Sequence, residues 1–163
     1  MKALEVKIIS VDEMINLGYI IGSISYPNLV IGLNGDLGAG KTVFTKGIGK
    51  YLGVKRVINS PTFTIMKIYD TNNETINNLY HLEVYRLDSA DADFELEEYF
   101  YLDGLTIIEW SKIILDILPK DMWNVEINIL SENERNVKLI VEDEVFEILL
   151  KKLLEEKYEV IYW

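Results

Sequence analysis

One glycine-rich octapeptide limits the folds open to this chain more than any other part of its sequence. Residues 35–42 read Gly-Asp-Leu-Gly-Ala-Gly-Lys-Thr and fit Gly-x-x-x-x-Gly-Lys-[Ser/Thr], the pattern of a phosphate-binding loop. Glycines allow positive φ and a close approach to a ligand, so the N–H groups of the loop can form a nest for an anion. Lys41 offers an ammonium to the outer phosphates, and Thr42 offers a hydroxyl to Mg²⁺. The octapeptide therefore predicts a nucleoside triphosphate site.

The segments on either side of this loop have the periodicity that such a site needs. Residues 29–33 form a short apolar run, which favours a buried parallel strand. Apolar residues then recur at helical spacing as far as Leu52, and Gly53 can end that helix. The helix would place the positive end of its dipole beneath the phosphates. The weaker interpretation is a glycine-rich turn that binds nothing.

Length and composition favour one folded domain over residues 1–163. The chain is 49% hydrophobic and 26% charged, which is ordinary for a soluble globular protein. It has no cysteine, which excludes disulfides, a thiolate nucleophile and a cysteine zinc site. The first ten residues do not resemble a signal peptide, and polar residues interrupt the apolar stretch 18–33. We therefore expect a cytoplasmic location and no membrane span.

The charge balance bears on the class of partner. The formal net charge is −11, from 27 acidic and 16 basic residues, whereas a free-standing nucleic-acid binder is usually basic. The charged residues among positions 41–67 are all basic, and those among positions 83–103 are all acidic except Arg86. These two regions could be solvated faces, or they could be a nucleotide-binding side and an acidic docking surface. The sequence leaves both interpretations open.

The order of elements predicts an α/β fold, a P-loop NTPase-like three-layer sandwich with a mixed, partly antiparallel sheet. A capping-box pattern at Ser10 opens a helix that continues toward Ile24. Two strand patterns with turn residues between them predict a hairpin over residues 65–86. A second hairpin is predicted over residues 125–141. Residues 105–110 form another buried-strand pattern. Further helices are predicted at residues 43–52, 91–100, 111–118 and 145–156, the third of them capped by Ser111.

Two strand-end acids are candidate catalytic residues. A phosphate loop needs a carboxylate to hold Mg²⁺ and order the attacking water, and in open α/β sheets it lies at the C-terminal end of a neighbouring strand. Glu109 ends an apolar run and fits that description, the alternative being an exposed strand-end acid. Glu83 is a second candidate, only slightly favoured over a surface acid. We interpret His81 as structural, and Trp110 as packed in the core rather than stacked on a base.

The hydroxyl-rich segment that follows the helix predicted over residues 43–52 has two interpretations. Ser60, Thr62 and Thr64 could sense the γ-phosphate or the metal, as switch segments do. The same residues could form only a proline-bearing turn between strands. The sequence does not separate these two possibilities.

Taken together, these motifs resemble the TsaE family, formerly YjeE, the ATPase of bacterial tRNA threonylcarbamoyladenosine synthesis. The resemblance spans nearly the whole chain, and the combination of motifs is far more specific than the phosphate loop alone. The matching segments are residues 33–42, Asn-Ser-Pro-Thr-Phe-Thr at 59–64, Leu-Tyr-His-x-x-Val-Tyr-Arg-Leu at 79–87, Glu109-Trp110, Leu118-Pro119 and Glu134-Arg135.

The resemblance implies a protein that binds ATP and Mg²⁺ and associates with the TsaB–TsaD heterodimer. TsaD would transfer the threonylcarbamoyl group to adenosine 37 of ANN-decoding tRNAs, and tRNA would be contacted only indirectly. By position, Lys41, Glu109 and Glu83 would be catalytic, with Thr42 and Glu109 holding the metal. The residues implied in nucleotide binding are Ser10, Gly35, Asp36, Leu37, Gly38, Ala39, Gly40, Lys41, Thr42, Ser60, Thr62, Thr64 and Arg135, of which Ser10 and Arg135 would lie near the base and ribose.

Two departures from the family pattern bear on the strand carboxylate and on the acidic segment, and two rival functions stay open. Glu83 stands where the family usually has Asp, and Glu95 lies near the position of a usual Gly. The longer carboxylate leaves open a module that switches a partner by binding nucleotide without meaningful hydrolysis. A small-molecule kinase is the other rival, but the three arginines of the chain are widely spaced and do not suggest an arginine-bearing lid.

Overall fold

A computed structural model describes residues 1–61, 66–84 and 96–162 of the chain. Within these ranges eight strands form one sheet, in the order β3-β4-β5-β2-β6-β7-β1-β8. The strands are β1 (Lys2–Ile8), β2 (Val30–Gly35), β3 (Met66–Asp70), β4 (Asn78–Glu83), β5 (Leu105–Glu109), β6 (Trp123–Ile129), β7 (Arg135–Val141) and β8 (Glu159–Tyr162).

The centre of the sheet is parallel and its two sides are antiparallel. Strands β4, β5, β2 and β6 run in the same direction, while β3 and the group β7, β1 and β8 pair antiparallel. The mixed sheet predicted from the sequence is thus confirmed, including both hairpins. Strand β8 was not predicted; it lies at the outer edge and pairs only with β1 among the described strands.

Helices cover both faces of the sheet, which confirms the three-layer prediction. The helices are α1 (Val11–Ile24), α2 (Lys41–Leu52), α3 (Leu96–Tyr99) and α4 (Asp143–Glu155), with a 3₁₀ segment at Ser111–Ile117. A large apolar core joins the sheet to α1, α2 and α4. A smaller core on the opposite face includes residues of α3 and the 3₁₀ segment. None of the helices in the described ranges is long and apolar enough to span a bilayer.

Local capping chemistry starts α1 where the sequence predicts. Ser10 Oγ accepts a hydrogen bond from the backbone N–H of Glu13 at 3.1 Å. The Glu13 carboxylate in turn accepts a hydrogen bond from the backbone N–H of Ile9 at 2.8 Å. In a capping box the donor is usually the N–H of the N-cap residue, one position later in the chain. The predicted cap at Ser111 is wrong, because Trp110 precedes the 3₁₀ segment and Ser111 is buried against Asn34. Of the helix predicted over residues 91–100, the structure describes only the part from residue 96 onward, which contains α3.

Two facing glycines bring α1 and α2 unusually close. A Cβ added at Gly18 would lie 2.1 Å from the carbonyl oxygen of Phe44, and one at Gly47 would lie 2.0 Å from that of Ile15. Both contacts are far shorter than carbon and oxygen atoms tolerate, so only glycine fits at either position. Because α2 begins at Lys41, this contact also bears on where the start of α2 lies relative to α1.

A partly buried hydrogen bond joins the turn before β2 to the junction between β7 and α4. Tyr26 Oη donates to Glu142 Oε2 at 2.6 Å, and Trp123 Nε1 donates to the same oxygen at 3.3 Å. Burial, together with the bond to Glu142 and its negative charge, raises the pKa of Tyr26 well above its ordinary value.

We expect Tyr26→Phe to be less stable than the unsubstituted protein near neutral pH, and the gap to narrow in alkali. The raised pKa means that the folded state binds the phenol proton more tightly than the unfolded state. The contribution of Tyr26 to stability is therefore complete below the ordinary tyrosine pKa of about 10 and is lost as the pH rises toward the folded-state pKa. Urea unfolding from pH 8 to pH 11 measures the gap, and a gap that stays constant would contradict the prediction.

Candidate functional site

The phosphate-binding loop joins β2 to α2 in the predicted strand–loop–helix arrangement. Strand β2 ends at Gly35 and α2 begins at Lys41. Two residues of the loop adopt positive φ, +81° at Gly38 and +112° at Gly40, which a residue with a Cβ rarely takes. The N–H of Ala39 donates to the carbonyl of Asp36 at 3.0 Å and closes the turn. The N–H groups of the first turn of α2 have no partners within that helix, as at any helix start.

The Lys41 side chain crosses the mouth of this loop. Its Nζ donates to the carbonyl of Gly35 at 2.6 Å and lies 3.9 Å from Oε1 of Glu109. It also lies 4.9 Å from the centre of the Trp110 ring, within the range of a cation–π contact. Since the side chain is only 10% exposed, these three contacts hold the ammonium at a defined place.

The Glu109 carboxylate lies between two basic side chains at the C-terminal end of β5. Oε1 faces Lys41, and Oε2 lies 2.5 Å from Nε2 of His81. Both Glu109 and His81 are buried, and polar groups that are buried in proteins are hydrogen-bonded in this way. The predicted location of Glu109 is confirmed: it ends a strand adjacent to β2, pairing in register with Leu33.

Glu83 lies beside Glu109 at the same edge of the sheet. It ends β4, the strand on the other side of β5, and the two glutamates are register partners in this parallel pair. Side chains of register partners point to the same face of a sheet, so two carboxylates adjoin the loop. Glu83 is 9% exposed, which contradicts the interpretation of it as a surface acid.

The side chains of Lys41, Glu83, Glu109 and Trp110 border one cleft of about 600 Å³. Its walls come from the loop, the start of α2 and the ends of β4 and β5, with Ser60 on the remaining side. The lining residues are Leu37, Gly38, Gly40, Lys41, Thr42, Val43, Ser60, Glu83, Glu109 and Trp110. Thr62 and Thr64, the other predicted members of the switch segment, lie outside the described residues.

A smaller cavity of about 170 Å³ adjoins the loop on its other side. Ser10 and Arg135 both line it, so the structure brings together the two residues expected near the base and ribose. Ala39 borders this cavity rather than the cleft, and Asp36 faces a third hollow beside Lys112. Gly38 and Gly40 line both the cleft and this cavity, so the loop forms the wall between them.

Trp110 and His81 have contacts that the sequence interpretation missed. The prediction that Trp110 packs in the core is wrong, since its side chain is 39% exposed and borders the cleft. Strand alternation would place it opposite Glu109, but a left-handed backbone at φ +64° turns the chain there. His81 is fully buried, as a structural histidine would be, yet it contacts the candidate catalytic carboxylate directly. The sequence signal that could have indicated this contact is the position of His81 two residues before Glu83, which places both side chains on the same face of the strand.

The oxygen atoms on the cleft suit a hard cation that arrives with a ligand. Mg²⁺ in nucleotide sites keeps several waters and takes one or two protein oxygens together with phosphate oxygens. Thr42, Glu83 and Glu109 offer such oxygens. In the described part of the chain, no cluster of three or more His, Asp or Glu side chains could hold a metal ion by itself.

Comparison with known proteins agrees with this geometry. The sequence model of a family described as "Threonylcarbamoyl adenosine biosynthesis protein TsaE" matches residues 8–137. The tRNA threonylcarbamoyladenosine biosynthesis protein TsaE of Bacillus subtilis is 36% identical over 153 residues, which is 94% of this chain and 95% of that protein. The protein of the same name from Rickettsia felis is 40% identical over 79% of this chain and 75% of its own.

A solved structure has the same fold. The crystal structure of Bacillus subtilis YdiB superimposes with a TM-score of 0.77 and 30% sequence identity, covering 95% of this chain and 96% of that chain. The family match includes the phosphate loop, β4 and β5, and thus every described residue of the cleft. On these grounds the chain belongs to the TsaE family of threonylcarbamoyladenosine biosynthesis proteins.

Proposed function

We propose that this protein is the Mg²⁺-dependent ATPase subunit that supports threonylcarbamoyl modification of adenosine 37 in ANN-decoding tRNAs. In this proposal it acts with a TsaB–TsaD pair, and TsaD performs the transfer. The observation that carries the proposal is the convergence of Lys41, Glu109 and Glu83 on one phosphate-binding loop, in a chain that belongs to the TsaE family.

The loop and α2 would bind the phosphates of ATP. Positive φ at Gly38 and Gly40 lets the backbone approach an anion, and the free N–H groups at the start of α2 can donate to phosphate oxygens. Lys41 would exchange its bond to the Gly35 carbonyl for the β- and γ-phosphates. Because its ammonium is already close to the cleft, it would offset the negative charge that develops as the γ-phosphoryl group leaves.

The two carboxylates would divide the remaining tasks. When bound, Mg²⁺ would supply positive charge that offsets the charge of the phosphates. Thr42 and Glu109 are the residues that would hold it, and the contact from His81 fixes the orientation of the Glu109 carboxylate. Glu83 would orient the attacking water. Its extra methylene relative to the usual family aspartate alters the reach of that group, so the rate of hydrolysis is the property most sensitive to this position.

The proposal is tested by ATP hydrolysis with and without Mg²⁺, by the protein alone and with its cognate TsaB and TsaD. We expect weak activity alone and clear stimulation by the pair. Nucleotide binding without stimulated turnover would support the binding-only switch, and phosphate transfer to a metabolite would support the kinase. Failure to bind any nucleotide would overturn the proposal entirely.

We expect Glu109→Gln to uncouple ATP binding from Mg²⁺. Glutamine keeps the size of the side chain but removes the charge that a divalent cation needs, so Mg²⁺-dependent hydrolysis should fall about 100-fold. Affinity for ATP in the presence of a chelator should be equal or tighter, because one negative charge beside the phosphates is gone. Titration calorimetry with ATP, with and without Mg²⁺, gives both quantities.

Glu126→Gln is the matched control for this substitution. It removes the same charge from β6, where Glu126 pairs with Lys112 at 3.2 Å outside the cleft. The control should keep the Mg²⁺ dependence of the unsubstituted protein. If Glu109→Gln also kept that dependence, Glu109 would not be a metal ligand.

A further inference from the structure

Arg135 binds the phosphate loop from behind through backbone carbonyls. Its Nε donates to the carbonyl of Ala39 at 3.0 Å, and Nη2 donates to that of Gly38 at 3.3 Å. The remaining nitrogen, Nη1, donates to the β6–β7 turn, at the carbonyls of Ser131, Glu132 and Glu134, at 2.8, 3.2 and 3.0 Å. One guanidinium thus connects the loop to a hairpin nearly a hundred residues away in sequence.

The bond to Ala39 determines the direction of a neighbouring N–H. A trans peptide is planar, so the carbonyl of Ala39 and the N–H of Gly40 point in opposite directions. While Arg135 holds that carbonyl on the hairpin side, the N–H of Gly40 faces away from the hairpin. Gly40 borders the cleft, and its φ of +112° is one that glycine adopts readily and other residues rarely do.

A second contact fixes the preceding peptide. The carbonyl of Gly38 accepts from Arg135, and the N–H of Ala39, on the same peptide, donates to Asp36. This peptide is therefore held at both ends. The positive charge of the guanidinium also lies behind the loop, where it favours an anion on the opposite side.

We infer that Arg135 is a positioning residue for the phosphate site, which orients the peptides of the loop through hydrogen bonds to their carbonyls. This inference rests on the proposed function, because it concerns how the same loop binds polyphosphate. It differs from the role that the family resemblance implies for Arg135. All three guanidinium nitrogens already donate to backbone carbonyls, so a hydrogen bond from Arg135 to the base or ribose would have to compete with them.

The two roles make opposite predictions for a ligand that has phosphates but no nucleoside. Arg135→Lys keeps the charge, but one ammonium cannot reproduce the planar fork of donors. We expect it to weaken binding of ATP and of inorganic tripolyphosphate by the same factor, about tenfold. A base or ribose role predicts weaker ATP binding with unchanged tripolyphosphate binding. Affinities for both ligands, measured by titration calorimetry, decide between these outcomes.

Three further proteins complete the experiment. Glu134→Gln changes the neighbouring side chain but leaves the backbone carbonyl that Arg135 contacts, so it should bind both ligands normally. Arg135→Gln retains a planar amide donor and should weaken the binding of both ligands, as Arg135→Lys does. Thermal unfolding shows whether each variant is folded. Normal tripolyphosphate binding by a folded Arg135 variant would overturn the inference alone. Absence of tripolyphosphate binding by the unsubstituted protein, or binding unaffected by Lys41→Met, would instead overturn the proposed function.

Discussion

On the proposed function, replacing Lys41 with methionine should lower the rate of ATP hydrolysis by about 100-fold or more, for the protein alone and with the TsaB–TsaD pair. Methionine keeps much of the length and packing of the side chain but removes the ammonium. ATP affinity should also fall, by about tenfold, since a charged donor to phosphate is lost. Steady-state hydrolysis and calorimetric ATP binding give the two effects separately.

The geometry around Lys41 explains why this substitution should be severe. The ammonium is nearly buried between Glu109, the Trp110 ring and the Gly35 carbonyl, so no other cation can take its place without moving these groups. Among the described residues that line the cleft, Lys41 is the one basic side chain, while Glu83 and Glu109 are both acidic. Without Lys41, the phosphates of ATP would meet two carboxylates with less to offset them.

Lys46→Met is the matched control, because it removes one positive charge from an exposed position of the same helix. It should leave both hydrolysis and ATP binding unchanged within about twofold, as expected for exposed charges outside a site. Equal losses from the two substitutions would mean that net charge rather than the ammonium at the loop matters. Unchanged hydrolysis in Lys41→Met would refute the catalytic role of the loop.

The sequence predicted those parts of the site that local patterns encode. An apolar run, a glycine loop and a helix are contiguous, so the position of Lys41 and Thr42 followed directly. Glu109 and Glu83 each end a strand, and the C-terminal ends of parallel strands meet at one edge. Their adjacency depends on strand order, however, and no local pattern gives the order β4-β5-β2.

The sequence could not predict contacts between side chains and distant backbone groups. Arg135 attracts attention as a charged residue that could touch a ligand, whereas its contacts to carbonyls depend on where the hairpin lies in the folded chain. Trp110 was misinterpreted because alternation assumes a regular strand, and the backbone leaves that conformation at this residue. Gly18 and Gly47 gave no signal, since glycine within a helix reads only as a poor helix former.

The glycine contact between α1 and α2 supports the second prediction with a large effect. We expect Gly47→Ala to lower the free energy of unfolding by about 2 to 4 kcal/mol. On an exposed helix the same change should raise stability by about 1 kcal/mol, because alanine is the better helix former. Here the added carbon would lie 2.0 Å from a backbone oxygen of Ile15, so the helices would have to separate. Urea unfolding measures the size and the sign of the change.

Gly49→Ala, in the same helix, separates this clash from helix propensity. Its added carbon would meet Cδ1 of Ile58 at 2.2 Å, but that atom ends a flexible side chain, and the next contacts are at 3.6 Å. Ile58 can turn aside, so the change in stability should stay within about 1 kcal/mol. Since typical domains are stable by only about 5 to 15 kcal/mol, Gly47→Ala should remove a large fraction of the total. A stabilised Gly47→Ala protein would show that α1 and α2 do not meet at these glycines, and the position of Lys41 at the start of α2 would then need a different explanation.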